Sequence, residues 1–187
     1  YNGMEDGMQK CPNCKIDLIP SDKGKKCSNC QFTATGRVLE ALKRCALPEG
    51  CRIFVVMGPH APWLAQVKEV ATTMPWLTEV RVGVENMALL MAESDMAIGA
   101  AGATVWELCC LGVPSLMVVL AENQRAAAAA LVKRSAIRSL DLNNLAVDLK
   151  ESVENIDWFE EASEHAAEVC DGRGCQFIVE KMYSNPV

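Results

Sequence analysis

The sequence predicts an α/β protein with a parallel β-sheet, preceded by a small segment that four cysteines hold together. Short apolar runs rich in β-branched residues alternate with helix-like segments over most of the chain, which is typical of βαβ units. Before this alternation lie two CxxC pairs, in a stretch with too few large apolar side chains to fold by burial alone. We therefore expect two parts, residues 1–32 and residues 33–187.

The alternating segments predict four strands and the helices that connect them. Strands are expected over residues 52–57, 77–82, 95–99 and 115–120, and helices near residues 38–47, 62–73, 86–93, 103–111 and 123–134. The last section, residues 142–183, is predicted to be helical with breaks near Asn155 and Gly172. Since crossovers between parallel strands place helices against the sheet, we expect both of its faces to be covered.

Composition and charge exclude several classes of protein. The chain has 187 residues and half of them are hydrophobic, which is enough for one ordinary domain with a small addition. Its net charge of -6, without a long basic run, disfavours nucleic acid as a partner, because such binding relies on clustered Lys and Arg. No apolar run reaches the roughly 18 residues of a membrane span, and no secretory leader is visible.

The distribution of the cysteines indicates the redox compartment and a metal site. Of the ten cysteines, Cys11, Cys14, Cys27 and Cys30 form two CxxC pairs with twelve residues between them, and the others lie in apolar stretches of the sequence. Free buried cysteine is common in such stretches, so a reducing cytoplasm is favoured over an extracellular disulfide scaffold. Two CxxC knuckles supply the four thiolates of a tetrahedral structural zinc site. A rubredoxin-like iron site, disulfides and redox dithiols are the alternatives.

A second motif lies where the third predicted strand ends. The run from Gly99 to Thr104 consists of glycine and alanine closed by threonine, and a helix is expected from Ala103. Small residues let a ligand approach the backbone closely, and a helix N-terminus offers N–H donors to a phosphate. Glu107 follows within this helix, where its carboxylate could accept hydrogen bonds from ribose hydroxyls. By itself, GxxG before a helix is a weak signal.

The wider stretch is more specific. Residues 94–107, 111–115 and 120–124 resemble the C-terminal domain of the UDP-sugar hydrolases of pseudaminic acid biosynthesis, which are close to the spore-coat polysaccharide proteins and more distant from the MurG glycosyltransferases. Those proteins have the GT-B architecture of two Rossmann-like domains with a cleft between them. The resemblance extends over most of residues 35–183 and includes Asp171–Gly174.

The resemblance implies roles for individual residues. It makes the loop that contains Gly99, Ala100, Gly102, Ala103 and Thr104 a cradle for the diphosphate of UDP or a UDP-sugar. It assigns Glu107 to the ribose, and Asn123 and Gln124 to phosphate or sugar groups. The loop Gly58–His60 is expected near the same cleft.

The sequence also departs from that family. The family's N-terminal domain, with its catalytic histidine, has no counterpart here, and the first strand of the C-terminal domain is not recognisable. This leaves a gap in the sheet unless residues 31–34 or another chain supply a strand. His60 and the pair Cys109 and Cys110 are interpreted as a surface residue and as inert buried thiols.

Two functions follow from these observations. The chain is either the UDP-sugar-binding half of a hydrolase or glycosyltransferase, working with a partner chain or a second copy, or a non-catalytic zinc-containing binding or assembly module. No catalytic base is identified in the sequence, so turnover by this chain alone is left open.

Overall fold

A computed structural model describes residues 28–61 and 63–184 of the chain. The helices are α1 (Ser28–Leu42), α2 (Leu64–Thr72), α3 (Met87–Ala92), α4 (Thr104–Cys110), α5 (Arg125–Lys133), α6 (Leu145–Val153), α7 (Ile156–Val169) and α8 (Gly174–Ser184). The strands are β1 (Arg52–Met57), β2 (Leu77–Val82), β3 (Ala97–Ala100), β4 (Ser115–Val118) and β5 (Ile137–Leu140). A short 3₁₀ turn, Glu122–Gln124, precedes α5.

The described residues form two compact units, and each has its own sheet. The first unit reaches Arg44 and resumes over Pro48–Gly83, and the second holds Cys45–Leu47 and the chain from Val84 onward. The predicted domains, residues 1–32 and 33–187, stay a prediction because most of the first lies outside the described residues. No helix among the described residues is long and apolar enough to cross a membrane.

The sheet of the first unit has two parallel strands, β1 and β2. Side chains of a strand alternate between its faces, and Val55 of β1 packs with Leu39 of α1 and Val67 of α2 in one core cluster. On the opposite face Val56 stays 42% exposed. Helices therefore cover the first face, whereas the second keeps apolar surface in contact with solvent.

The sheet of the second unit has the order β3-β4-β5, and all of its strands are parallel. All four residues of β4 are buried, as expected for a central parallel strand between two layers of helices. Met117 of β4 belongs to a core cluster with Val105 of α4, Leu131 of α5 and Ala166 of α7. This strand and its helices hold the loop that follows β3.

The four predicted strands and their parallel pairing are confirmed, and a fifth strand, β5, was not predicted. Among the described residues the strands do not join into one sheet, because β1 pairs only with β2, and β3 only with β4. The hypothesis that residues 31–34 supply the missing strand is wrong, since these residues lie within α1. Within residues 28–61 and 63–184, no strand precedes β1.

Candidate nucleotide-binding site

The loop between β3 and α4 lies at the carboxyl ends of the strands and is fixed by two hydrogen bonds. The Ala101 N–H donates to the Val118 carbonyl at 3.0 Å, which extends the pairing with β4 by one residue. The Gly102 N–H then donates to the Ala100 carbonyl at 2.7 Å, and this contact turns the chain sharply. Ala101 is buried, whereas Ala103 and Thr104 are exposed. The loop is thus anchored on the core side and open on the solvent side.

The first residues of α4 present unused donors on this open side. Within residues 28–61 and 63–184, the backbone N–H groups of Ala103 and Thr104 have no hydrogen-bond acceptor, since the first N–H groups to donate in this helix are those of Val105 and Trp106. No side chain caps this end of the helix. Free N–H groups at the start of a helix carry a partial positive charge, which favours an anion such as a phosphate.

Gln124 is brought to the same loop by the turn that follows β4. Its Oε1 accepts a hydrogen bond from the Leu120 N–H at 2.9 Å. A Cβ atom added to Gly102 would lie 3.9 Å from its Nε2. The side chain is therefore oriented, with its oxygen occupied and its amide nitrogen directed at the loop.

The other predicted ligand residues lie on the surface around this loop. Glu107 is exposed on α4, and its carboxylate has no partner in the part of the chain that the structure describes. Asn123 is exposed in the turn before Gln124. Gly99 lies in β3 against Met117, with 3.8 Å between an added Cβ and the sulfur. The structure thus joins the loop and Gln124 by contact, and shows no contact for Glu107 and Asn123.

Two residues near the loop were not predicted as part of the site. Trp106 is 41% exposed beside Glu107, and Arg125 directly follows Gln124 and pairs with Glu122 at 2.7 Å. The pair is well exposed, so the guanidinium can exchange its partner at little cost. The sequence could have indicated Arg125, because it directly follows the predicted ligand Gln124 and arginine is a common phosphate ligand.

A cavity of about 610 Å³ lies elsewhere in the second unit. It is lined by Asp95, Pro114, Phe159 and Ser163 among others. These residues lie before β3, before β4 and on α7, so the cavity is at the amino ends of the strands. Ligands of open α/β sheets bind outside the carboxyl ends, and we therefore place the candidate site at the loop and not in this cavity.

Among the residues that the structure describes, none is identified as a catalytic base at the loop. His165 lies on α7 with its Nδ1 atom 3.9 Å from Glu161, and His60 is exposed in the first unit. Three of the predicted zinc ligands, Cys11, Cys14 and Cys27, lie outside the described residues, as does the side chain of Cys30. Among the residues described, no three His, Cys, Asp or Glu side chains are grouped to hold a metal ion.

Comparison with known proteins identifies a matching family model and a curated relative. Residues 37–173 match the family model of the glycosyltransferase family 28 C-terminal domain. The spore coat polysaccharide biosynthesis protein SpsG of Bacillus subtilis (strain 168) is 32% identical over 93 residues, which are 50% of this chain and 27% of that protein. The chain thus spans about a quarter of the length of this curated relative.

Two solved structures are similar in fold. The crystal structure of Acinetobacter baumannii MurG superimposes with a TM-score of 0.71 at 22% identity, over 83% of this chain and 46% of that one. WaaG, a glycosyltransferase involved in lipopolysaccharide biosynthesis, gives a TM-score of 0.59 at 17% identity, over 84% of this chain and 44% of that one. In each case this chain spans less than half of the related protein.

Proposed function

We propose that this chain, which belongs to the glycosyltransferase family 28 C-terminal domain family and has the Rossmann-like fold of a GT-B C-terminal half, binds UDP or a UDP-sugar at the loop after β3. The loop is anchored by β4 and leaves the N–H groups of Ala103 and Thr104 without acceptors. This combination of a fixed backbone and free donors is the observation that carries the proposal.

In the proposed complex the diphosphate contacts the backbone of Gly99–Thr104. Small side chains at Gly99, Ala100, Gly102 and Ala103 leave the backbone accessible, and the two free N–H groups stabilise the phosphate charge. The Gln124 amide nitrogen, directed at Gly102, donates a third hydrogen bond. The pairing of Gln124 with the Leu120 N–H supports this role, because it leaves the amide nitrogen as the end of the side chain that faces the ligand.

Glu107 and Asn123 contact the remainder of the ligand. The Glu107 carboxylate accepts hydrogen bonds from the two ribose hydroxyls, a role that requires a carboxylate without another partner. Its exposure and lack of a partner among the described residues are consistent with this requirement. Asn123 contacts a phosphate or sugar group from the adjoining turn.

Turnover requires groups that the loop does not supply. Hydrolysis or glycosyl transfer needs a general base and a bound water or acceptor, and we infer that these come from the other half of a GT-B enzyme. The chain spans 46% of MurG, and α8 leaves Phe177, Met182 and Tyr183 between 60% and 82% exposed. One edge of β1 and one edge of β3 have no paired strand among the described residues, and these edges offer further contact surface.

The alternative is a non-catalytic binding module that contains zinc. In either case we propose that Cys11, Cys14, Cys27 and Cys30 hold one structural zinc ion, as the spacing of the two CxxC pairs indicates. Elemental analysis should give about one zinc per chain, and Cys27→Ser should release it. Metal-free protein with four freely titrating thiols would contradict this proposal.

Calorimetry with UDP tests the nucleotide site. Glu107→Ala should weaken binding at least about tenfold, because two hydrogen bonds to a charged acceptor are lost. Glu93→Ala is the matched control, because Glu93 is exposed at the end of α3. This variant should bind UDP as tightly as the unaltered chain does. Equal affinity of the Glu107 variant would remove this residue from the site. If no uridine nucleotide bound, either to the chain alone or with the other half present, the proposed function would lose its support.

A further inference from the structure

The cavity at the amino ends of the strands lies at the opposite end of the sheet from the proposed nucleotide site. Its volume of about 610 Å³ is within the range of about 300–1,000 Å³ that is typical of ligand pockets. It is formed by the segment before β3, the segment between α4 and β4, and one side of α7. All three segments belong to the second unit. The cavity is therefore a feature of one compact unit.

Hydrogen bonds hold the walls of this cavity in place. The Ser94 hydroxyl donates to a carbonyl of α3 at 2.7 Å, and the Ser163 hydroxyl of α7 donates to the Gly112 carbonyl at 2.7 Å. The Ala97 N–H donates to the Pro114 carbonyl at 2.9 Å. The hydroxyl hydrogens of both serines are thus used to fix backbone segments, and the cavity is formed before any ligand binds.

The end of α4 that leads into one wall is anchored in the core. Cys109 is 1% exposed and belongs to the same buried cluster as Ala166 of α7. Burial raises the pKa of the Cys109 thiol to about 11, so this thiol is inert, as expected from the sequence. Cys110 is exposed, and the expectation of a second buried thiol is therefore wrong. The shared cluster fixes the two walls that α4 and α7 supply.

The inner surface of the cavity is largely apolar. Val113 and Pro114 are buried, and Leu111 is 40% exposed. The half-buried ring of Phe159 packs edge-on against Trp158, with 5.1 Å between the ring centroids. Trp158 is 5% exposed, so its place in the core orients the Phe159 ring. The cavity therefore offers aliphatic surface to an apolar stem and an oriented aromatic ring to a cation.

Three carboxylates set the charge of the cavity. Asp95, Glu160 and Glu164 line it and are exposed, and none of the described lining residues is Lys, Arg or His. Within residues 28–61 and 63–184, none of the three carboxylates has a hydrogen bond or an ion pair. A cavity lined by charges of one sign attracts a ligand of the opposite sign. The ligand that complements this cavity is therefore a cation.

The chemistry of the lining favours an organic cation over a metal ion. In the part of the chain that the structure describes, no three His, Cys, Asp or Glu side chains are grouped to hold a metal ion. Carboxylates around an apolar surface suit a cation on an aliphatic stem, because the stem covers the apolar surface while the charge stays near water. An arginine side chain has this form, and its planar guanidinium both stacks on aromatic rings and pairs with carboxylates.

We propose that this cavity docks a basic segment of a partner polypeptide, with one arginine side chain inside it. The guanidinium pairs with Glu160 or Glu164 and lies against the Phe159 ring, and its aliphatic stem covers Leu111 and Pro114. A cavity of this volume holds more than one side chain, which favours a polypeptide segment over a small free cation. The site is separate from the nucleotide site and does not depend on it.

The test is titration of the isotope-labelled full chain with the peptide acetyl-Gly-Arg-Gly-amide, followed by the backbone amide signals in NMR spectra. At millimolar peptide the signals of Phe159 and Ser163 should shift and reach saturation, whereas the signal of Gly102 should stay in place. The same peptide with norleucine in place of arginine keeps the stem and lacks the charge. It should bind at least about fivefold more weakly.

Variants on one face of α7 assign the contacts. Glu164→Gln should weaken binding of the arginine peptide about two- to fivefold, and Glu160→Gln combined with it should weaken binding further. Glu168→Gln is the matched control, because Glu168 is exposed on the same helix and does not line the cavity. It should bind the peptide as tightly as the unaltered chain does. Phe159→Leu should also weaken binding, since the aromatic face is lost.

Three results would overturn the proposal. The first is the absence of saturable shifts at the cavity. The second is equal affinity for the arginine and norleucine peptides, or equal losses in the Glu164 and Glu168 variants, because either would show that the carboxylates of the cavity are not recognised. The third is spermidine that shifts the same signals at lower concentration than the peptide does, which would make the cavity a site for free polyamines.

Discussion

The two ends of α4 differ in how their backbone groups are satisfied. At the carboxyl end Gly112 adopts a left-handed conformation, with φ at 64°, and the Gly112 and Val113 N–H groups donate to the carbonyls of Cys109 and Leu108. The Ser163 hydroxyl of α7 donates to the Gly112 carbonyl at 2.7 Å. At the amino end the N–H groups of Ala103 and Thr104 have no such partners among the described residues.

This difference separates a structural end from a binding end in one helix of seven residues. Buried or satisfied polar groups contribute to folding stability, whereas exposed and unsatisfied donors are available to a ligand. Substitutions at the carboxyl end should therefore change the free energy of unfolding, and substitutions at the amino end should change affinity for UDP.

The largest stability effect is expected at Gly112. Gly112→Ala should lower the free energy of unfolding by about 1–2 kcal/mol, because a residue with a Cβ atom is strained in the left-handed region. An added Cβ would also meet the Ser163 carbonyl at 3.4 Å. Urea denaturation measures the change. Unchanged stability, or a large loss of UDP affinity by a still-folded variant, would contradict the division between the two ends.

A smaller loss is expected from Ser163→Ala, which removes the hydroxyl that donates to Gly112. We expect about 1 kcal/mol, the usual contribution of one such hydrogen bond. Ser184→Ala is the control, because its hydroxyl donates within an exposed helix end, to the Glu180 carbonyl. If both variants unfolded at the same urea concentration as the unaltered chain, the contact between α7 and Gly112 would not contribute to stability.

The smallest change in stability is expected at Gly102, in the loop before the amino end. Its φ is not positive, and an added Cβ would meet only the Gln124 amide at 3.9 Å. Gly102→Ala should therefore change the free energy of unfolding by less than about 0.5 kcal/mol. Its UDP affinity should fall several-fold, because the methyl group covers backbone that the proposed ligand contacts. If calorimetry on the folded variant gave unaltered affinity, Gly102 would not belong to the site.

The bounds of the four predicted strands agree with those of β1–β4 within two residues. β1 and β4 each contain a run of apolar residues, at positions 53–57 and 116–118. β5 was missed because it has only four residues, two of which, Arg138 and Ser139, are polar and not buried. Its identity as a strand depends on pairing with β4, which a local pattern does not show.

The candidate site was predictable where it depends on the backbone and not where it depends on packing. The position of the loop follows from the order of strand, small residues and helix, and this part is confirmed. The approach of the Gln124 amide to Gly102, and that of Gly172 to the Cys110 sulfur, bring together segments that are distant in the sequence. Such contacts leave no signal in the order of residues.

Among the described residues no strand pairs with the outer edge of β3, and two amide protons on this edge can therefore report assembly. The N–H groups of Ala97 and Ala101 donate to the Pro114 and Val118 carbonyls of the β4 side. Since N–H directions alternate along a strand, those of Ile98 and Ala100 point away from β4. In the chain alone these two amides should exchange with deuterium rapidly, beside slowly exchanging neighbours. A polypeptide that completed the sheet would protect them, so its arrival is visible at two known positions before any turnover is measured.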